Sequence, residues 1–303
     1  MRRAALPTGL KRNFGAHLAC ASAAGNAVVT TERNGLIDYG RFIAALGLVW
    51  FFTQAPGNRI AYLSVPFLLV ILTLPATETV ASKARRLLLP FVVWSMVFAI
   101  VRVALALKTH DEPFGWWENY MVLTGTWSHL WILPFAFLAS VLAPWFQHPI
   151  ASLGTALLVV VLMAVEGTPD AVPFGLWSFG ILPILVGVAF IAWGWRLALV
   201  TLLLSSAILF LGRPSPDNVT ILVGTALALF CLAIRLPTTP TSDWCGRMST
   251  WIILSHPLAI IIGQSLRITW VELALFSVVV AVILAQVLEA STNGPRRGRL
   301  ELS

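Results

Sequence analysis

The chain has 303 residues, of which 58% are hydrophobic and 11% are charged. An ordinary soluble domain has about 25% charged residues, so this chain has too few charges to cover its apolar content in water. The composition excludes a disordered chain, a collagen-like chain and almost any cytosolic enzyme. The net charge of +7 is spread along loops and does not gather on one face, so we expect no nucleic-acid partner.

The N-terminal segment 1–35 contains no apolar run long enough for a signal or a span. It is rich in Arg, Ala, Gly and Asn and resembles neither a secretory signal nor a stable helix. It predicts a disordered basic cytoplasmic tail, or a start placed too far upstream. Cys20, Cys231 and Cys245 have no paired spacing, so neither a disulfide framework nor a metal site is expected.

Ten apolar stretches then follow one another along the chain. Because a bilayer core about 30 Å thick needs roughly 20 apolar residues per helix, each stretch is a candidate span. Their bounds are about 36–54, 59–76, 87–107, 129–147, 149–165, 176–193, 195–212, 218–234, 249–267 and 270–288. Apolar runs without alternation predict helices, since lipid admits only helices or closed barrels. The predicted fold class is therefore all-α, a polytopic integral membrane protein with one ten-helix domain over 36–290.

The basic residues set the orientation of these spans. With the N-terminus inside, 14 of the 20 Lys and Arg residues fall in cytoplasmic segments and 4 in outer loops. Such a bias follows the positive-inside rule. It predicts that both termini are cytoplasmic and that residues 291–303 form a basic cytoplasmic tail.

Charged residues stand in and beside the first and third spans. Asp38 and Arg41 are three residues apart, which places them on one helix face. They form either an interfacial ion pair that stabilises insertion or a site for an anionic group. Lys83 and Arg86, just before the third span, are either a topology anchor or a pair of cations for phosphate.

Two histidines stand in apolar surroundings. His129 begins the fourth span on its outer side, and His256 lies inside the ninth. A lone intramembrane histidine either bridges two helices by a hydrogen bond or takes part in catalysis.

Four segments together resemble the membrane acyltransferase-3 family, bacterial integral-membrane proteins that O-acylate sugars. They are IDYGRFIAAL at 37–46, KARR at 83–86 ahead of a Pro- and Trp-bearing helix, HLWILP at 129–134 and the weaker SHPL at 255–258. Their order and spacing agree with the family over about residues 35–290.

The resemblance implies a transferase of the bacterial inner membrane. The donor would be a cytoplasmic acyl-CoA, usually acetyl-CoA, acting as a co-substrate with no bound cofactor. The acceptor would be a hydroxyl of a polysaccharide or lipid-linked glycan. Arg41, Lys83 and Arg86 fit a role in binding the donor phosphates, with Asp38 and Trp131 supporting them.

The sequence departs from the family at one position. The family pairs its first-span arginine with a catalytic histidine eleven positions later, and here that position is Phe52, which cannot accept a proton. Either His129 or His256 supplies the base, or transferase activity is weak or absent, or one codon has changed. The hypotheses are an O-acyltransferase, a catalytically silent relative that binds a glycan or partner or helps to translocate an acyl group, and a small-molecule transporter.

Overall fold

The computed structural model describes residues 34–72, 78–127, 129–146, 148–166, 174–212 and 216–297. Over these residues every regular element is helical. The α-helices are α1 Gly35–Phe52, α2 Asn58–Ala61, α3 Ser64–Leu72, α4 Val80–Thr109, α5 Met121–Thr124, α6 Ile132–Leu142, α7 Pro149–Glu166, α8 Phe174–Trp193, α9 Trp195–Leu211, α10 Pro216–Ala233, α11 Pro240–Ser265 and α12 Trp270–Arg297. A 3₁₀-helix, Ala143–Phe146, continues α6. The predicted all-helical class is confirmed.

The apolar helices follow the predicted spans closely. Five are long and apolar enough to cross a membrane, namely α1, α4, α8, α11 and α12. Five shorter apolar segments occupy the other predicted positions, with α2 and α3 together forming one and α6 with its 3₁₀ turn forming another. The count of ten spans and the sidedness of the termini remain predictions.

Three predicted boundaries were wrong. Helix α4 begins at Val80, so Lys83 and Arg86 lie inside its first turns and not before it. Helix α11 begins at Pro240, well before the predicted residue 249. Both starts are polar and are fixed by a threonine N-cap, because Thr79 accepts a hydrogen bond from the Ser82 amide and Thr239 from the Ser242 amide. Apolar runs alone do not reveal such starts.

The third boundary concerns the fourth span. The helix begins at Ile132, so His129 lies in the turn that leads into α6.

The predicted terminal tails are described only at their inner ends. Residues 1–33 and 298–303 lie outside the described residues, and α12 continues through the first seven residues of the predicted C-terminal tail.

Burial follows the pattern expected of a bundle in lipid. Helix α3 is buried on nearly every side and lies within the main apolar core, as a helix that is hydrophobic all round should be. Helix α12 instead exposes a stripe at four-residue spacing, and each of its members is 53–60% exposed. The stripe consists of Leu275, Val279, Ile283 and Val287. Lipid is the solvent that such a stripe fits.

Helices α1 and α11 run side by side in the same direction, and this pairing positions the site. At their starts the Gly35 amide donates to the Leu236 carbonyl at 3.0 Å, and further along the rings of Phe42 and Trp244 are 5.4 Å apart. Small residues, including Ala45 on α1, pack at the shared interface, which allows the close approach typical of membrane helices. The parallel direction is the one that a first and a ninth span must share.

Candidate active site

Four elements meet around the two buried histidines. The His129 and His256 ring centroids are 4.7 Å apart. Phe52, the last residue of α1, lies 5.2 Å from His256 and 6.1 Å from His129. Phe98 of α4 completes the cluster at 5.7 Å from His129. The structure thus brings together both candidate catalytic histidines and Phe52.

The orientation of the His256 ring follows from the proline that comes next in α11. A helical residue 257 would donate its amide proton to the carbonyl of Ile253, but Pro257 has no such proton. His256 Nδ1 lies 2.8 Å from that carbonyl oxygen. Because a carbonyl oxygen can only accept, Nδ1 carries the proton and donates it. A neutral His256 therefore presents its lone pair at Nε2, which is buried and has no hydrogen-bond partner among the described residues.

His129 is held by a tight turn and not by hydrogen bonds of its own ring. Gly125 adopts φ +78°, and a Cβ there would lie 2.7 Å from that of Leu130, so only glycine fits. The Thr126 hydroxyl donates to the Ser95 carbonyl of α4 at 2.7 Å, which anchors the turn. Both His129 ring nitrogens are buried, with no hydrogen-bond partner in the described chain.

The simpler interpretation of the two histidines is that each bridges two helices by a hydrogen bond. A helix-bridging role requires a hydrogen bond from the ring to another helix. Among the described residues the His256 ring bonds only within its own helix, and the His129 ring bonds to nothing. Across helices the two rings make aromatic contacts, and three of their four nitrogens are buried without a hydrogen-bond partner among the described residues.

The Asp38–Arg41 pair lies toward the other end of α1. The predicted shared face is confirmed, with 4.0 Å between an Arg41 nitrogen and an Asp38 oxygen. Arg41 Nη2 also donates to the Thr250 hydroxyl of α11 at 3.1 Å. Asp38 is buried, whereas the Arg41 side chain is 29% exposed. At 1.5 Å per residue, Arg41 lies about 17 Å from Phe52 along the helix axis.

Lys83 and Arg86 engage different partners. Lys83 is buried, and its Nζ donates to the Ser140 carbonyl in the last turn of α6 at 2.8 Å. A cation is favourable at that end of a helix. Arg86 Nε donates to Glu78 Oε2 at 3.1 Å. The two side chains therefore do not converge on one group in this structure.

Trp131 belongs to the packing around the site. It is buried, with its ring centroid 5.6 Å from that of Phe135. In the described part of the chain, no three His, Cys, Asp or Glu side chains are placed to hold a metal ion together.

Sequence reasoning missed the residues that orient the histidines. Pro257 had a readable signal, because a proline inside an apolar helix always frees the carbonyl four residues earlier, which here is that of Ile253. Gly125 and Thr126 had no comparable signal, since their roles depend on contacts with Leu130 and with Ser95 of another helix.

We expect Pro257→Ala to release the His256 ring from its fixed tautomer. An alanine at this position would supply the missing amide proton to the Ile253 carbonyl and compete with Nδ1. Imidazole nitrogen NMR shifts of histidine-labelled protein in lipid nanodiscs would move toward a mixture of tautomers. Pro183→Ala, at another proline inside a helix, is the matched control and leaves the shifts unchanged. Identical His256 shifts in Pro257→Ala and the parent would show that the carbonyl does not fix the ring.

The comparisons with known proteins concern the whole of this helical domain. A family model described as an acyltransferase domain, that of acyltransferase family 3, matches residues 34–290. No curated protein and no solved structure matches the chain. The match begins at the N-cap of α1, ends within α12 and includes all four segments that carried the resemblance. The resemblance is confirmed, and the chain belongs to the acyltransferase-3 family.

Proposed function

We propose that this protein is a membrane O-acyltransferase of the bacterial inner membrane. It would move an acetyl or similar acyl group from a cytoplasmic acyl-CoA to a hydroxyl of a cell-surface or exported polysaccharide. The observation that carries the proposal is the buried pair His129 and His256, whose rings are 4.7 Å apart and keep three nitrogens without hydrogen-bond partners among the described residues. The family match supports acyl transfer as the reaction class.

His256 is proposed as the general base. Its Nε2 lone pair takes the proton of the acceptor hydroxyl as the hydroxyl oxygen attacks the thioester carbonyl carbon. The new ester C–O bond forms, the C–S bond breaks, and the protonated imidazole returns its proton to the departing thiolate. The Ile253 carbonyl stabilises the charged ring through Nδ1, as the third group of a catalytic triad does for its histidine.

His129 is proposed to stabilise the oxyanion. A neutral imidazole has one N–H donor, and this one has no partner in the described structure. A donor already in place and shielded from water stabilises developing negative charge far better than an exposed one. The Phe52 and Phe98 rings beside the pair exclude water, so the acyl group is protected from hydrolysis.

The donor phosphates are proposed to bind at the other end of α1. Arg41 is the partly exposed cation there, and a guanidinium suits phosphate oxygens. Lys83 and Arg86, in the first turns of α4, are proposed to add positive charge on the donor side after leaving the Ser140 carbonyl and Glu78. The separation of about 17 Å between Arg41 and Phe52 fits a donor whose thioester is carried on a long arm away from its phosphates.

We expect His256→Gln to lower acyl transfer at least about 100-fold, since loss of a general base costs about 10² to 10⁴ in rate. The measurement is ester-linked acyl groups released from the glycan of cells with and without the protein, normalised to protein amount. His148→Gln, at an exposed histidine, is the matched control and keeps full activity. Glycan acylation that does not change on deletion of the protein would refute the proposed function.

We expect Arg41→Gln to weaken use of the donor without loss of membrane insertion. The apparent Michaelis constant for acetyl-CoA should rise about tenfold or more, as expected when a charged hydrogen bond is lost. Arg235→Gln, at an exposed arginine just before α11, serves as the control. An unchanged constant in Arg41→Gln would restore the interfacial ion pair as the role of Arg41.

Phe52 favours one alternative, a catalytically silent relative that binds a glycan or helps to translocate an acyl group. In that case Phe52→His, which places a third imidazole against His256, should create transfer from a background of zero. If the present pair is the catalytic centre, the parent transfers acyl groups and Phe52→His changes its rate without creating the activity. The same glycan ester analysis of parent and variant decides between the two, and Phe210→His, at an exposed phenylalanine of α9, is the control.

A further inference from the structure

A cavity of about 500 Å³ opens at the end of α1 that carries Phe52. We call it the α1-end pocket. Residues from α1, α2, α8 and α10 and from the turn after α1 line it. Its volume falls within the range of about 300–1,000 Å³ typical of small-molecule sites.

An aromatic stack forms one wall of the α1-end pocket. The rings of Phe51 and Tyr62 are stacked with centroids 4.4 Å apart, and Tyr62 stacks in turn on Phe179 at 4.8 Å. Phe51 also contacts Phe52, with centroids 5.1 Å apart. Phe52 thus contacts both Phe51 of the pocket wall and the His256 ring.

Planar amides stand beside this stack. The Asn58 side-chain amide donates to Gln54 Oε1 at 3.0 Å, and the Gln54 amide donates to the Phe51 carbonyl at 3.2 Å. Gln54 holds φ +57°, a conformation uncommon for residues other than glycine and concentrated at functional sites. The linked amides present both donors and acceptors at the pocket wall.

The charges of the α1-end pocket balance. Its lining includes one cation, Arg59, and one anion, Asp217, and both side chains are exposed. A balanced lining does not select an anion or a cation. Together with the aromatic wall and the amides, it suits a neutral ligand that has apolar C–H faces and a rim of hydroxyl groups.

We propose that the α1-end pocket binds a neutral pyranose ring of the acceptor glycan. The C–H face of the ring packs on the aromatic wall, and its hydroxyls bond to Asn58, Arg59 and Asp217. One hydroxyl is then directed past Phe52 toward His256 Nε2. This assignment rests on the proposed function, because it names the part of the acceptor that the imidazole pair would acylate.

Binding is tested apart from catalysis, by saturation-transfer difference NMR on the full-length protein. The protein is held in phospholipid nanodiscs, since a detergent with a sugar head group would occupy the pocket. The probes are the methyl glycosides of glucose, galactose and mannose. We expect at least one of them to bind, and Asp217→Asn and Arg59→Gln each to weaken that binding about tenfold. Glu272→Gln, at an exposed acid at the start of α12, is the matched control and binds like the parent.

The possible results distinguish the pocket assignment from the proposed transferase function. If no glycoside binds, or if Asp217→Asn and Arg59→Gln bind as tightly as the parent, the pocket assignment is overturned even where acyl transfer is measured. If binding depends on Asp217 and Arg59 but no glycan is acylated, the pocket is supported and the proposed transferase function fails. Both substituted side chains are exposed, so misfolding does not obscure the outcome, and circular dichroism of each variant verifies this.

Discussion

The site depends on one carbonyl group that lacks its helical partner. In lipid, each backbone polar group must be satisfied inside the protein, and Pro257 leaves the Ile253 carbonyl without the usual amide donor. The His256 ring satisfies it at 2.8 Å. This single bond fixes which ring nitrogen holds the proton, where the other points and how far the ring can turn. Because the Ile253 carbonyl needs a hydrogen-bond donor inside the protein, the His256 imidazole is held in one orientation within an apolar core.

The second constraint is the parallel pairing of α1 with α11. Because the two helices start together, Arg41 and its partner Thr250 lie at one depth, while Phe52 and His256 lie at another. Along α1 the rise from Arg41 to Phe52 is about 17 Å, and along α11 the rise from Thr250 to His256 is about 9 Å, so the cationic end and the imidazole end of this helix pair lie at different depths. The proposed reaction takes its donor from one side of the membrane and its acceptor from the other, and it would use groups at both depths. It also needs a rigid connection between the two ends, which the small residues of the α1–α11 interface provide through close packing.

Local sequence patterns predicted those features that depend on neighbours in the chain. The helical class and the Asp38–Arg41 pair follow from periodicity, and the family followed from short ordered motifs. Such patterns could not predict contacts between residues distant in sequence, because these contacts depend on how the helices pack. Lys83 illustrates the difference, since its charge fitted either a topology anchor or a phosphate ligand, and neither interpretation predicted its bond to the Ser140 carbonyl of another helix. The approach of Phe52 to both histidines likewise depends on three helices and a turn.

Phe52 affects both the polarity around the two histidines and the choice of residue that can accept a proton. A histidine there would add a proton acceptor, but it would also introduce a polar group that needs a partner in an apolar space. Phenylalanine removes that need and keeps the imidazole pair dry, which strengthens every electrostatic interaction within it. The proposed proton transfer then falls to His256, which in this cluster of described residues is the imidazole held by a backbone carbonyl. Since Phe52 contacts both Phe51 of the α1-end pocket and His256, the proposed route takes the acceptor hydroxyl past this ring to the base.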